Sequence, residues 1–275
     1  MPLSISTNVA SLTAQRSFMN TNAALETAFE RLSAGSRVNS AVDDAAGLAI
    51  GKTLESRVSG LNQAVRNTND GISMVQIAEG ALDEATTILQ RMRDLAVQAG
   101  NSSLGTAELG YLDAEQAKLA TTLGDVLGQA TFNGIVLIDT NSDVTLTFQV
   151  GADNGDILTF DIDCLTAAKL TVGSGDITLD GAANASTAID RIDAALAVVY
   201  ADRADLGAIQ AQMESTVRNL ANVAENTAAA QGRIMDTDYA AETANLTKAQ
   251  ILQQAATSIL AQANSQPQSV LSLLQ

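Results

Sequence analysis

From residue 44 onward the side chains repeat every seven positions: Leu54, Leu61, Thr68, Val75, Leu82, Leu89 and Ala96 share one heptad position, and Val58, Val65 and Ile72 share another. This spacing predicts a single helix of about 55 residues, ended by GNSSLG at 100–105. At about 1.5 Å per residue it spans about 80 Å, longer than a compact domain of this size is wide, so the expected molecule is a rod. Gly60, Gly71 and Gly80 each weaken the helix by up to about 1 kcal/mol, which implies that packing must hold it. A second helix is predicted over 106–128, where Leu109, Leu112, Leu119, Leu123 and Val126 keep three-four spacing, and TFNG at 131–134 closes it as a turn. The period then falls to two. Val144, Leu146, Phe148 and Val150 alternate with polar residues, GADNGD follows, and Leu158, Phe160 and Ile162 take one side of ILTFDID, the pattern of a β-hairpin. VGSGDITLDG at 172–181 reads as loop. Helical spacing returns after Ser186 at Ile189, Ile192, Leu196, Val199, Leu206, Met213, Val217 and Leu220.

A break near 231–242 precedes a terminal helix in which Ala249, Leu252, Ala256, Ile259 and Ala263 recur at three-four intervals. Small and large residues alternate along this seam, which suits the close approach of another helix; the N-terminal set Ile5, Val9, Leu12, Phe18, Leu25 and Leu32 is its expected partner. The layout is nearly palindromic. The predicted fold is mainly α, a long antiparallel helical rod with coiled-coil termini and a small β-hairpin tip. Its expected parts are 1–40 and 235–275 as the two halves of an inner coiled-coil domain, 41–133 and 186–234 as rod helices, and 134–185 as the β-tip.

Charge is distributed unevenly. The chain holds 15 Lys and Arg and 31 Asp and Glu, yet residues 249–275 contain none of them and residues 1–25 contain only Arg16. Thirteen residues of that tail are neutral Gln, Asn, Ser or Thr, too many for a membrane span, while the lack of charge is unlike an ordinary exposed helix. Two helices cannot cover all of each other's uncharged faces, so further copies of the chain are expected to cover the rest, and the expected product is a polymer.

Composition removes other classes of function. With no His there is no His-dependent catalysis and no His-ligated metal, and with one Cys, Cys164, no intramolecular disulfide. A net charge of −16 opposes binding to nucleic acid. MPLSISTNVASLTAQR lacks the basic and continuous apolar regions of a cleavable signal. The adjacent Asp43 and Asp44 are expected to cap the long helix, with Asn39 and Ser40 competing for that role, and GADNGD has too few ligands at loop spacing for a calcium site. No catalytic, cofactor or metal site is predicted.

RLSAGSRVNSAVDDAAGLAI at 31–50, NTNDGISMVQIAEGAL at 67–82, LQRMRDLAVQAGN at 89–101 and AAETANLTKAQILQQAATSILAQANSQPQSVLSLLQ at 240–275 closely resemble bacterial flagellin. The resemblance covers about 1–135 and 185–275. It implies a self-polymerising subunit of the extracellular flagellar filament, with no enzymatic activity and no membrane insertion. It also implies export by the flagellar type III apparatus, an export chaperone at the C-terminal region, and contacts with filament cap and hook-junction proteins. Only about fifty residues separate the two halves, so no large outer domain is expected. The alternatives carried forward are a hook–filament junction protein of the same superfamily and a membrane-active translocator.

The same resemblance assigns Gln90, Arg91, Arg93, Leu95 and Glu115 to the segment that Toll-like receptor 5 recognises. Asp94 stands where family members more often carry Glu. The residues themselves suggest subunit packing first, with Arg91 and Arg93 pairing acids on an adjacent protofilament. Ile5, Val9, Leu12, Phe18, Leu25, Leu252, Ala256, Ile259 and Ala263 are the expected inner-domain assembly residues, and Ser174 and Thr178 candidate glycosylation positions.

Overall fold

The computed structural model describes residues 7–138, 143–162, 170, 172–173, 175 and 177–272; Ile5, Cys164 and Ser174 lie outside the described residues. The chain divides into two compact units, Met1–Arg57 with Asn226–Gln275, and Val58–Glu225. These boundaries fall inside two long helices, whereas the sequence suggests boundaries at the breaks between helices. The reason is local: in the first unit Met235 presses on Gly51, leaving no room there for a Cβ, so the ends of both helices belong with the loops beside them.

In the first unit, α1 (Val9–Ala34) lies antiparallel to α5 (Tyr239–Ser272), as shown by bonds linking Asn8 to Ala263 and Asn22 to Gln253. Gly35 ends α1 in the left-handed conformation, φ 69°, with the Tyr239 hydroxyl against it. That geometry favours glycine.

The second unit contains most of α2 (Ala45–Ala99) and α4 (Ala182–Met235), all of α3 (Thr106–Gly128) and, among the described residues, four strands. Two short strands, β1 (Thr131–Phe132) and β2 (Ile135–Val136), pair across Asn133 and Gly134, both at positive φ. Thus TFNG not only closes α3 but also turns a small hairpin, as Asn-Gly favours. β3 (Val144–Gln149) and β4 (Ile157–Ile162) form the expected antiparallel hairpin, with Leu146 opposite Phe160. Phe148 and Phe160 stack at 5.7 Å on its inner face. α4 begins four residues before Ser186, because AANA carries no apolar period and yet disfavours nothing in a helix.

Leu82, Leu89 and Met92 of α2, Leu123 and Leu127 of α3, and Ile192 and Val199 of α4 form one fully buried core. Two of the glycines in α2 are explained by close packing. Ala152 of the hairpin turn meets Gly60, and Met213 and Phe148 meet Gly71, so each allows close approach; Gly80 meets nothing within 4 Å. One member of the core is mismatched. Gln116 is 1% exposed on the inner face of α3, and neither of its amide atoms has a hydrogen-bond partner among the described residues. Such a group loses its hydration without compensation. Replacing it with the similarly sized Met is expected to stabilise the second unit by about 1–2 kcal/mol, read as a higher urea midpoint at unchanged slope. An unchanged or lower midpoint would refute the assignment.

Candidate functional site

The helices α1 and α5 meet on alanine. Ala14 and Ala28 of α1 and Ala249, Ala256 and Ala263 of α5 are the buried apolar residues of the seam. The last three are spaced by seven, so the same face of α5 returns to the partner along its length. Small side chains let the axes approach, and branched ones at these positions would hold them apart. Neutral polar groups stitch the seam: Asn8 Nδ2 donates to the Ala263 carbonyl at 2.7 Å, Ser11 Oγ to Asn264 Oδ1 at 2.7 Å, and Gln253 Nε2 to Asn22 Oδ1 at 2.7 Å.

The expected seam is thereby corrected. Phe18 and Leu25 are half-buried along it, and Ala256 and Ala263 fill it, but Val9, Leu12, Leu252 and Ile259 stay exposed. With Met19, Phe29 and Ile251 they form seven large apolar residues that remain 47–65% exposed. Beside the seam runs a groove of about 500 Å³, lined by Val9, Ala10, Thr13, Leu252, Ala256 and Ile259.

The joint between α1 and α2 is held by one carboxylate. Asp43 accepts from the Ser40 N–H at 2.9 Å, the Ser40 hydroxyl at 2.9 Å and the Asn39 N–H at 3.3 Å, with Arg31 at 3.9 Å. The Ser40 backbone bond, then its hydroxyl, and more weakly Asn39 and Arg31 hold the Asp43 carboxyl below the usual carboxylate range, against desolvation. Asp44 is the helix cap, accepting from the Gly47 N–H at 2.8 Å. Asn39 and Ser40 therefore serve Asp43 and do not cap the helix. Across the joint, the Arg37 N–H donates to the Met235 carbonyl at 2.6 Å and its guanidinium to the Ile234 carbonyl at 2.9 Å, while the Thr237 N–H donates to the Gly35 carbonyl at 3.1 Å.

The arginine segment of α2 is bound within its own chain. Arg91 Nε and Nη2 donate to Glu115 Oε1 of α3 at 3.1 and 2.7 Å. Arg93 donates to both carboxylate oxygens of Asp193 on α4, at 2.6 and 3.3 Å. This pairing lowers the Asp193 pKa and raises that of Arg93. Acids of the same molecule take the place of the partners expected on a neighbouring protofilament, Glu115 brought near by α3 and Asp193 by the antiparallel α4. Arg203 adds a further link, 2.9 Å from Asp83 and 3.9 Å from Glu79. No local sequence signal connects Arg93 with Asp193. Gln90 is exposed, but Leu95, 1% exposed, belongs to the core and is closed to any partner. Thr178 is exposed between buried Ile177 and Leu179. Among the described residues no group of His, Cys, Asp or Glu is arranged to hold a metal.

The bacterial flagellin N-terminal helical region matches residues 5–143, and the bacterial flagellin C-terminal helical region matches residues 189–274. The chain belongs to the bacterial flagellin family. A flagellin of Halalkalibacterium halodurans is 45% identical over 249 residues, 90% of each chain. The flagellar filament 33 kDa core protein of Treponema phagedenis is 38% identical over 283 aligned positions, 98% of this chain and 99% of the relative. A solved structure described as a putative flagellar hook-associated protein from Vibrio parahaemolyticus superposes with a TM-score of 0.59 at 16% identity, over 70% of this chain and 100% of its own, a likeness of fold alone.

Membership defines the role as that of a structural subunit of the extracellular flagellar filament and not of an enzyme. The filament reading fits better than the junction or translocator alternatives, and among the described residues no helix is long and apolar enough to cross a membrane.

The Asp43 joint has a definite pH signature. Because its pKa is lowered on folding, its contribution to stability is complete above the unfolded-state pKa and is lost as pH falls through the folded-state value. Asp43→Asn is expected to lower the stability of the first unit at neutral pH, and the difference from the parent should vanish in acid below the usual aspartate range. Urea denaturation at the two pH values measures both; a difference independent of pH would refute the role.

Proposed function

We propose that the outward apolar face of the α1–α5 pair is the surface through which copies of this chain join into the filament. One observation carries the reading: the pair closes on alanine and turns seven large apolar side chains to solvent. Burying such a side chain contributes about 1.5–3 kcal/mol, so a neighbour that covers this face supplies what the alanine seam does not. Exposed apolar surface concentrated on one helix pair marks an interaction site.

In this reading the charge-poor ends limit the cost of desolvating ions at every contact, and their amides and hydroxyls keep partners across the seam. An export chaperone covers the exposed apolar residues of α5 before assembly, and filament cap and hook-junction proteins meet the same face at the ends of the polymer. Contact with Toll-like receptor 5 falls to Gln90, Arg91, Arg93 and Glu115, without Leu95. Glycosylation at Thr178 would use an exposed hydroxyl.

Leu252→Asp or Ile259→Asp tests the assembly face, since both side chains lie about half exposed at the edge of the seam and neither belongs to the buried core. Each variant should keep the helical circular dichroism of the parent monomer while its critical concentration for seeded polymerisation rises by about a hundredfold or more. Filaments of normal length in electron micrographs at the parent concentration would count against the proposal.

A further inference from the structure

The chain holds six methionines, and their surroundings differ sharply. Met92 and Met213 are fully buried, Met74 is 5% exposed, and Met235 is half-buried with its sulfur against Gly51. Met19 on α1 is 65% exposed, the one exposed methionine among the described residues, outside which Met1 lies. A thioether is oxidised where the oxidant can reach its sulfur, so this difference in burial becomes a difference in rate.

The place of Met19 on α1 gives its oxidation a consequence. Met19 follows Leu12 by seven residues, a spacing that returns a helix to nearly the same face, and both side chains are exposed. The buried seam residues Ala14 and Ala28 stand five residues before it and nine after it, about 140° and 180° round the axis at about 100° per residue. A change at Met19 therefore leaves the alanine seam as it is and alters the exposed apolar face alone.

We propose that Met19 is an oxidation site of the free subunit, and that its sulfoxide keeps the subunit out of the polymer. The inference rests on the assembly reading above and adds a chemical control to it. With hydrogen peroxide as the oxidant, a lone pair of the Met19 sulfur attacks one peroxide oxygen; the S–O bond forms as the O–O bond breaks and hydroxide leaves. The S–OH proton passes to that hydroxide, so the thioether ends as a sulfoxide, oxidised by two electrons, and the peroxide is reduced to water. On the free chain water satisfies the new S–O acceptor. Beneath an apolar neighbour it loses that water and gains no donor. The same neighbour, once in place, shuts the oxidant out. A methionine sulfoxide reductase supplied with a dithiol reverses the step, the dithiol becoming a disulfide and the sulfoxide oxygen leaving as water.

The test treats the full chain with hydrogen peroxide, as monomer and as seeded filament, locates sulfoxides by peptide mass spectrometry, and measures the critical concentration on untreated seeds. In the monomer Met19 should be oxidised about tenfold or more faster than Met74, Met92 and Met213. The helical circular dichroism should be unchanged while the critical concentration rises by about tenfold or more, and reductase treatment should return it to within about twofold of the parent. Filaments given the same dose should keep Met19 as the thioether. The similarly sized Met19→Leu should polymerise within about twofold of the parent both before and after peroxide. That variant retains Met1 and Cys164, so an equal loss of growth in it would overturn the proposal. Equal oxidation of Met19 in monomer and filament, or its oxidation with an unchanged critical concentration, would overturn it too while leaving the other residues of the assembly face standing. If the untreated parent fails to grow on seeds, the assembly reading falls and this inference with it. Should untreated Met19→Leu not polymerise, the reductase decides: growth that returns as the Met19 sulfoxide disappears supports the proposal, and growth that stays lost refutes it.

Discussion

A seam of alanine governs the terminal unit. Because Ala14, Ala28, Ala249, Ala256 and Ala263 occupy the line of contact, α1 and α5 approach closely but bury little from each other. The larger side chains on the same two helices consequently have no partner in their own chain. Neutral polar groups complete the seam, through Asn8, Ser11 and Gln253, without introducing an ion that would need a counter-ion. On the proposed reading further copies cover what the seam leaves exposed.

The second unit follows the opposite logic. Its core sets large Leu, Ile, Val and Met side chains, several of them fully buried, among smaller Ala, and it draws on α2, α3, α4 and the larger hairpin together. Gly60 and Gly71 admit the hairpin and α4 to the surface of α2. Arg91, Arg93 and Arg203 tie helices of the same chain, so their charges are met before any neighbour arrives. Exposed ion pairs of this kind contribute modestly to stability; their effect is to align helices whose apolar stripes alone allow sliding. On the proposed assembly reading this separates tasks: one unit keeps its own fold, and the other meets further copies.

Much of this was legible from residue order. The 55-residue length of α2 and the span of α3 followed from a period of seven and from the breakers that end it. The alternation of Val144 to Val150 and Leu158 to Ile162 placed the hairpin strands. Other features depended on competition between signals. Asn133-Gly134 served both as the end of a helix and as a hairpin turn, and only the pairing of Phe132 with Ile135 distinguishes the two. Asp43 and Asp44 are equivalent in composition, but the chain turns so that one organises the loop and the other caps the helix.

Sequence alone determined the helical periods, the uncharged ends and the family, because each depends on residue type and short-range order. It did not determine which side of a terminal helix faces inward. Alanine and leucine share the same three-four spacing on α5, and a helix with no charged face has no intrinsic wet side. Only the docking of α1, with its own small residues at the matching heights, buried Ala256 and left Leu252 half exposed at the edge of the seam. In the same way Arg93 met Asp193 only because two helices distant in the chain settled in one antiparallel register. Contacts of that range are fixed by packing, and residue order along either helix carries no trace of the other.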